Sequence, residues 1–273
     1  MGYGPKMDAE LDVALEAARN GGRIALEHAA RGVRAEWKGA GDLVTAADRA
    51  VQEAISSGIS AAFPSDIIVG EEGDPPPEEA VRGARRWYVD PIDGTSNYLK
   101  GRRWWGVSIA YCDADDRIAA GVVHLPALGE TFAGARGAGA TRNGEPIRCS
   151  PVVDLAEALC CSGFPGAESM RAASEHNLGP WGRVMRRALS MRATGAVAPD
   201  WCAVAAGLAD GSWTLGGGRW DLAAGTIIAR EAGATVTDLD GIALYGPGTA
   251  GIVATPGIHA ELLALVNDVP VES

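Results

Sequence analysis

The chain has no apolar run long enough to cross a bilayer, few aromatic side chains (6%), only four histidines, and fewer cationic residues than anionic ones, 24 Lys and Arg against 35 Asp and Glu. Each shortage excludes something. A membrane helix needs about twenty consecutive apolar residues, and acidic residues from Asp8 onward are unlike a secretory leader, so cytoplasm is the expected location. A net charge of −11 offers no basic surface to a nucleic-acid backbone, so neither nucleic acid nor a membrane is an expected partner. The five cysteines, Cys112, Cys149, Cys160, Cys161 and Cys202, are odd in number and lack the paired spacing of a zinc or disulfide framework. Reduced and mostly buried thiols are expected. His28, His124, His176 and His259 fall outside every motif described below, which leaves the chemistry to oxygen-bearing side chains.

What the chain does have is core-forming material: 273 residues, 47% hydrophobic and 22% charged, enough for one large or two closely packed domains. Leu11, Leu15, Ala18 and Ala25 follow helical spacing and predict an amphipathic first helix, broken or loosened near Gly21-Gly22. Thr45 suits the N-cap of a second helix whose apolar face is Ala47, Val51, Ile55 and Ala62, which places Asp48 in its first turn. Short apolar strands at Ile67–Val69 and Trp87–Val89 end at Glu71 and Asp90, so acidic residues stand at strand exits, where α/β proteins place their sites. Residues 106–148 read as an antiparallel meander with an Asn143-Gly144 hairpin turn. After Pro151 strands at Leu159–Ser162 and Gly251–Thr255 alternate with helices at Trp181–Leu189, Pro199–Leu208, Leu222–Glu231 and Ile258–Val266. This divides the chain into an N-terminal α+β part, 1–150, and a C-terminal α/β part, 151–273, expected to form one compact unit.

The most informative segment is Trp87-Tyr88-Val89-Asp90-Pro91-Ile92-Asp93-Gly94-Thr95-Ser96-Asn97. An apolar strand runs into two aspartates three apart around a proline, so both carboxylates and the Ile92 carbonyl can converge. Oxygen ligands of that kind suit Mg²⁺ or Mn²⁺ rather than Zn²⁺. Gly94 and Thr95 add backbone N–H groups and a hydroxyl for an anion beside the metal. In isolation a pair such as Asp90 and Asp93 is more commonly a set of turn-formers capping a helix. Clustered carboxylates become a positive site once divalent cations are bound, which reconciles an acidic chain with an anionic substrate and makes metal obligatory.

Together with Gly39-Ala40-Gly41-Asp42-Leu43-Val44-Thr45-Ala46-Ala47-Asp48, Val69-Gly70-Glu71-Glu72-Gly73 and Trp220-Asp221-Leu222-Ala223-Ala224-Gly225, this segment resembles, in order and spacing, the inositol monophosphatase family of Mg²⁺-dependent, lithium-sensitive phosphatases. The likeness covers nearly the whole chain. It implies an α/β fold, the layered α-β-α-β-α sandwich of the inositol monophosphatase and fructose-1,6-bisphosphatase type, and a homodimer. It also implies a phosphomonoesterase using two or three Mg²⁺ ions, with Mn²⁺ a possible substitute, on a small phosphorylated metabolite. By the same resemblance Glu71, Asp90 and the Ile92 carbonyl hold one metal, Asp90, Asp93 and Asp221 hold a second, and Glu71 reaches a looser third. Asp48 and Thr95 orient the attacking water, with Glu71 counted in the catalytic set, and Gly94 and Thr95 grip the phosphate.

The substrate wall implied is Gly195, Ala196 and Thr214. In inositol-phosphate enzymes of the family the position of Thr214 is acidic and contacts sugar hydroxyls, so a neutral hydroxyl there argues against tight inositol recognition. Histidinol phosphate, nucleotides and specialised metabolite phosphates stay open, as does a catalytically weak binding or regulatory protein. Asp200 reads as a hydroxyl acceptor or a helix-start residue, Asp221 as both N-cap and ligand, and Asp42 as a loop residue; whether Lys38 meets a metal-site water and Arg219 a second anionic group stays open. Trp104-Trp105 reads as packing or as a groove wall.

Overall fold

The computed structural model describes residues 8–32, 35–39, 42–164 and 171–269. In chain order the elements are α1 (Asp8–Arg31), β1 (Ala35–Gly39), β2 (Asp42–Thr45), α2 (Ala46–Ala62), β3 (Ile67–Gly70), α3 (Glu78–Val81), β4 (Arg86–Asp93), α4 (Thr95–Leu99), β5 (Gly106–Cys112), β6 (Ile118–Leu125), β7 (Glu130–Ala135), β8 (Gly139–Arg142) and β9 (Glu145–Pro146). They are followed by β10 (Leu159–Ser162), α5 (Arg171–Met185), β11 (Ser190–Arg192), α6 (Val197–Ala205), β12 (Gly211–Thr214), α7 (Arg219–Glu231), β13 (Thr235–Thr237), β14 (Gly251–Ala254) and α8 (His259–Val266).

Strands β3 to β9 form a seven-stranded sheet in sequence order, parallel only at β3–β4. Strands β10 to β14 form a second sheet in the order β11-β10-β12-β14-β13, and β1–β2 is a separate hairpin. Three apolar cores stack these elements. In the first, Leu11, Ala18, Val51 and Ile55 of α1 and α2 meet Trp87, Ile109 and Val122. In the second, Trp201, Val204, Leu222 and Ile228 of α6 and α7 lie between Tyr88, Val123 and Phe132 on one side and Cys161 and Val253 on the other. In the third, Val184 and Leu262 of α5 and α8 cover Cys160, Trp213 and Ile252. Neighbours such as Trp87 and Tyr88, or Cys160 and Cys161, enter different cores because successive strand side chains point to opposite faces. The result is the expected α-β-α-β-α sandwich.

Helix α7 approaches the large sheet closely. Gly121 and Gly134 are cross-strand partners, and a Cβ on either would come within 3.0 Å or less of α7 atoms. Their missing side chains let the helix that carries Asp221 sink towards β4.

Several expectations are corrected. Helix α1 runs unbroken through Gly21-Gly22, because those residues face close neighbours, Val51 and Ile55 on one side and His124 and Pro126 on the other. The packing gained there outweighs the propensity lost, about 1 kcal/mol per glycine. The helix expected at Trp181–Leu189 is instead α5, which begins at Arg171, contains Pro180 and ends at Met185, and Ser190–Arg192 is the edge strand β11. Trp181 packs beside Trp213 at 6.4 Å between ring centroids, a tertiary contact that holds the helix past its proline. Helices α6 and α7 begin two and three residues before the expected starts. The β1–β2 hairpin and strands β12 and β13 have no counterpart in the sequence reading. Among the described residues no helix is long and apolar enough to cross a membrane.

Candidate active site

Strand β4 does not stop at Asp90; it continues to Asp93 through a bulge. Asp90 stands opposite Ser108 and Asp93 opposite Gly106, so three steps on β4 match two on β5. In a regular strand residues three apart point to opposite faces; the extra residue restores them to one face. Pro91 occupies the bulge, where the missing N–H costs no ladder bond. Asp90 Oδ1 accepts the Ile92 N–H at 2.9 Å, closing the turn.

Asp221 reaches this point from the far end of the chain. It is not an N-cap: Gly218 caps α7, and Asp221, at the third helical position, accepts the Gly218 N–H at 2.7 Å. The Ser108 hydroxyl donates to the Trp220 carbonyl at 3.0 Å, pinning the start of α7 to the strand residue opposite Asp90. Asp90 thereby lies within hydrogen-bonding reach of both Glu71 and Asp221. Glu71 follows β3, its N–H donating to the Val89 carbonyl at 3.0 Å. Gln52 on α2 clamps the next residue, accepting the Glu72 N–H and donating to the Glu72 carbonyl.

Thr45 caps α2 as expected, its hydroxyl accepting from Ala47 and Asp48, while Asp48 Oδ2 accepts the Thr45 N–H at 2.8 Å and sits 2.5 Å from the Thr45 hydroxyl. Asp48 Oδ1 is buried with no hydrogen-bond partner. The expected Asp48–Thr95 bond is not made: the Thr95 hydroxyl donates to the Ile92 carbonyl at 3.1 Å. Gly94 caps the short α4 in the left-handed region, φ 92°, and a Cβ there would meet Ala196 Cβ at 3.0 Å and the Trp104 carbonyl at 3.2 Å. Only glycine fits that turn and that contact. The structure therefore brings Gly94 to Ala196, while Gly195 lies beside Asn97, 3.5 Å from a built Cβ to the side-chain nitrogen. Thr214 is half-buried at the end of β12, its hydroxyl spent on the Gly216 carbonyl at 2.9 Å. Arg219 is exposed at the start of α7, and the side chains of Lys38 and Asp42 lie outside the described part of the structure.

The electrostatics are those of a cation site. Burial pushes Asp90 well above the usual carboxylate range, and the charges of Glu71, Asp93 and Asp221 add to it. Burial does the same to Asp93, with Asp221 adding, although the N–H groups of Ala198 and Val197 pull it back. Burial lifts Asp221 to about 6 against the Gly218 N–H. Burial also raises Asp48, opposed by its two bonds from Thr45. Like charges crowded and desolvated in this way favour protons or a hard cation.

Among the described residues no three or more His, Cys, Asp or Glu side chains already form a cation cage, since Asp93 and Asp221 turn towards backbone N–H groups. The donor set nevertheless fits Mg²⁺: all oxygen, mutually repelling, with a buried Asp48 oxygen lacking a donor. A separate concavity of about 400 Å³ lined by Arg19, Arg23, His124 and Pro126 shares no residue with this site.

Four residues that sequence reasoning did not assign to the site, or assigned differently, contribute to it. Ser108 and Gln52 act as described above. Asn97 donates to the carbonyls of Trp104 (2.7 Å) and Thr194 (2.8 Å). Asp200, in the first turn of α6 and 3% exposed, accepts the Thr194 hydroxyl at 2.6 Å and the Trp104 indole N–H at 2.9 Å. Burial raises Asp200 to about 7 despite those two donors. It is no solvent-facing acceptor for substrate. Trp105 packs edge-on to Tyr98 at 4.9 Å, whereas Trp104 is half-buried. The Asn97 and Asp200 contacts bridge about a hundred residues, so no local pattern announces them.

A layered α/β sandwich with an all-oxygen carboxylate cluster between a bulged strand and a helix start is the architecture of the inositol monophosphatase class. The chain belongs to the inositol monophosphatase family, whose sequence model matches residues 6–270. Members of that family are generally Mg²⁺-dependent. The chain is 36% identical over 263 residues to the Nus factor SuhB of Vibrio cholerae, covering 94% of this chain and 95% of that one. Its fold is similar to that of the extragenic suppressor protein suhB of Bartonella henselae, with TM-score 0.86, 31% identity and coverage of 94% and 98%. It is likewise similar to the IMPase of Thermotoga maritima, with TM-score 0.84, 33% identity and coverage of 95% and 97%.

Proposed function

We propose that this protein is a Mg²⁺-dependent phosphomonoesterase acting on a small phosphorylated metabolite. The observation that carries this reading is the convergence of Asp90, Asp93 and Asp221 from two distant segments into one buried cluster in which every carboxyl is held above its ordinary range. In this reading Glu71, Asp90 and the Ile92 carbonyl hold one ion, Asp90, Asp93 and Asp221 a second, and Glu71 a looser third, with Mn²⁺ able to substitute. Bound there, the metal supplies an acidified water and neutralises charge on the phosphoryl oxygens and the leaving alkoxide.

The chain's own residues do the rest. Asp48 offers its unpartnered Oδ1 as a proton acceptor, and the Thr95 hydroxyl, once released from Ile92, passes its hydrogen bond towards that carboxylate and orients the attacking water. Water oxygen bonds to phosphorus as the ester P–O bond breaks, giving phosphate and an alcohol, with no phosphoenzyme. The N–H groups of Gly94 and Thr95 hold the phosphoryl group, and Gly195, Ala196 and Thr214 form the wall facing the alcohol portion. With Thr214 neutral and bonded to Gly216, inositol phosphates are weaker candidates than histidinol phosphate, nucleotides or other metabolite phosphates. Parts 1–150 and 151–273 work as one cytoplasmic unit, as a homodimer.

Phosphate release from a panel of monoesters, with Mg²⁺ and then with EDTA, tests the reading. Metal-dependent turnover of one compound well above the rest supports it. Uniformly negligible release favours the second reading, a binding or regulatory protein, which draws support from the Nus factor name carried by the Vibrio cholerae relative.

A further inference from the structure

Three segments that meet at the site are joined by one buried polar network outside the carboxylate cluster. Asn97, 6% exposed, lies in α4 just after the Gly94-Thr95 turn and donates to the carbonyls of Trp104 and Thr194. Asp200 takes the Trp104 indole N–H and the Thr194 hydroxyl, so the two acceptor-bearing residues are gripped both at their carbonyls and at their side chains. Between Thr194 and Asp200 lie Gly195, in the left-handed region at φ 86°, then Ala196, then the Val197 and Ala198 N–H groups that bond Asp93 at 3.2 and 2.5 Å. Ala196 and the Trp104 carbonyl are also the atoms packed against Gly94.

We propose that Asp200 and Asn97 are positioning residues, a buried brace that sets the 194–198 segment, and with it Asp93 and the wall at Gly195-Ala196, against the Gly94-Thr95 turn. This rests on the phosphatase reading of the site. A carboxylate buried in apolar surroundings is costly to retain unless its geometry is used. Here the geometry ties the alcohol-facing wall, the phosphate-gripping turn and one proposed metal ligand together. The two donors to Asp200 need only an acceptor oxygen, so Asp200→Asn keeps both bonds available, whereas Asp200→Ala leaves the Trp104 indole and the Thr194 hydroxyl without their partner. Trp104→Phe removes the indole N–H and keeps an aromatic ring, although a smaller one.

The test measures kcat, KM, the Mg²⁺ half-saturation and the rise in Tm on adding Mg²⁺ to EDTA-stripped protein for wild type, Asp200→Ala, Asp200→Asn and Trp104→Phe. A loosened brace misplaces Asp93 and the wall, so kcat should fall about tenfold or more and Mg²⁺ half-saturation should rise in Asp200→Ala. Trp104→Phe should show a smaller change in the same sense, and Asp200→Asn should recover most of the loss. If Asp200→Ala and Trp104→Phe lower Tm yet leave kcat, KM and Mg²⁺ half-saturation as in wild type, the brace is only a fold element and the proposal is overturned. Should the wild type hydrolyse none of the esters, the phosphatase reading fails separately. The Mg²⁺-induced rise in Tm still decides the brace: a rise cut in Asp200→Ala and restored in Asp200→Asn upholds it, and an equal rise in all four proteins overturns it.

Discussion

The Asp93 carboxyl group accepts the backbone N–H of Ala198 at 2.5 Å, so the end of β4 and the start of α6, 105 positions apart, share one buried acidic side chain. A proposed metal ligand is thus also a structural acceptor, and its two roles separate on substitution.

Asp93→Asn keeps the size of the side chain while removing its charge and one of the two oxygens that accept the Val197 and Ala198 N–H groups. Mg²⁺-dependent hydrolysis should fall about a hundredfold or more, because the second metal position loses an anionic ligand. The metal-free protein should melt only a few degrees below wild type, since the Asn oxygen still accepts one of the two N–H groups and the other loses its partner. Steady-state phosphate release and calorimetry on the same sample check both halves, and undiminished turnover in saturating Mg²⁺ would remove Asp93 from the ligand set.

Removing the metal should give stability an inverted pH dependence. In EDTA the folded protein retains protons on Asp90, Asp93, Asp200 and Asp221 that the unfolded chain sheds above about pH 4. The folded state then binds more protons, and stability falls as pH rises. The fall begins near the ordinary carboxylate range, runs through about 6 for Asp221 and about 7 for Asp200, and extends upward for Asp90 and Asp93, all chiefly because of burial. Mg²⁺ binds the ionised carboxylates, so excess Mg²⁺ should flatten or reverse the trend. Tm measured across this range in EDTA and in Mg²⁺ tells the two apart; a metal-free protein whose Tm climbs with pH contradicts the clustered-acid picture.

Thr214→Glu replaces a hydroxyl held by Gly216 with a carboxylate that can accept two sugar hydroxyls. Inositol 1-phosphate turnover should rise several-fold relative to the other esters, on the order of 1 kcal/mol of added discrimination. An unchanged ranking of substrates would mean that other residues read the alcohol.

Gly22→Ala probes the close passage of α1. A Cβ there would stand 2.6 Å from both His124 Cδ2 and Pro126 Cγ, neither at the end of a flexible chain. The gain in helix propensity should be outweighed by overpacking, a net loss of about 1–3 kcal/mol read by urea unfolding. A stabilised variant would show that α1 can shift without cost.

Much of the site is legible locally. Asp48 in the first turn after the Thr45 cap, Glu71 after a four-residue strand, and the Asp90-to-Thr95 run are adjacent-residue signals that the structure keeps in place. Less legible was the role of Asp221, whose identity as a helix-start aspartate was plain but whose capping position shifted by three residues. Helix α5 starts well before the expected Trp181, because Trp181 and Val184, packed on β12 and α8, carry the helix past Pro180.

The sequence by itself determined the family, the oxygen-only donors of the candidate site and the alternation that sends Trp87 and Tyr88, or Val122 and Val123, into separate cores, because periodicity and short motifs depend on neighbours along the chain. Only the tertiary structure decided that a bulge turns Asp90 and Asp93 to one face, that Ser108 draws α7 to Asp90, and that Asp200 is a buried acceptor for Trp104 and Thr194. Those depend on a ladder register and on hydrogen bonds spanning about a hundred residues, and burial, which raises these carboxyls, exists only once the layers have closed.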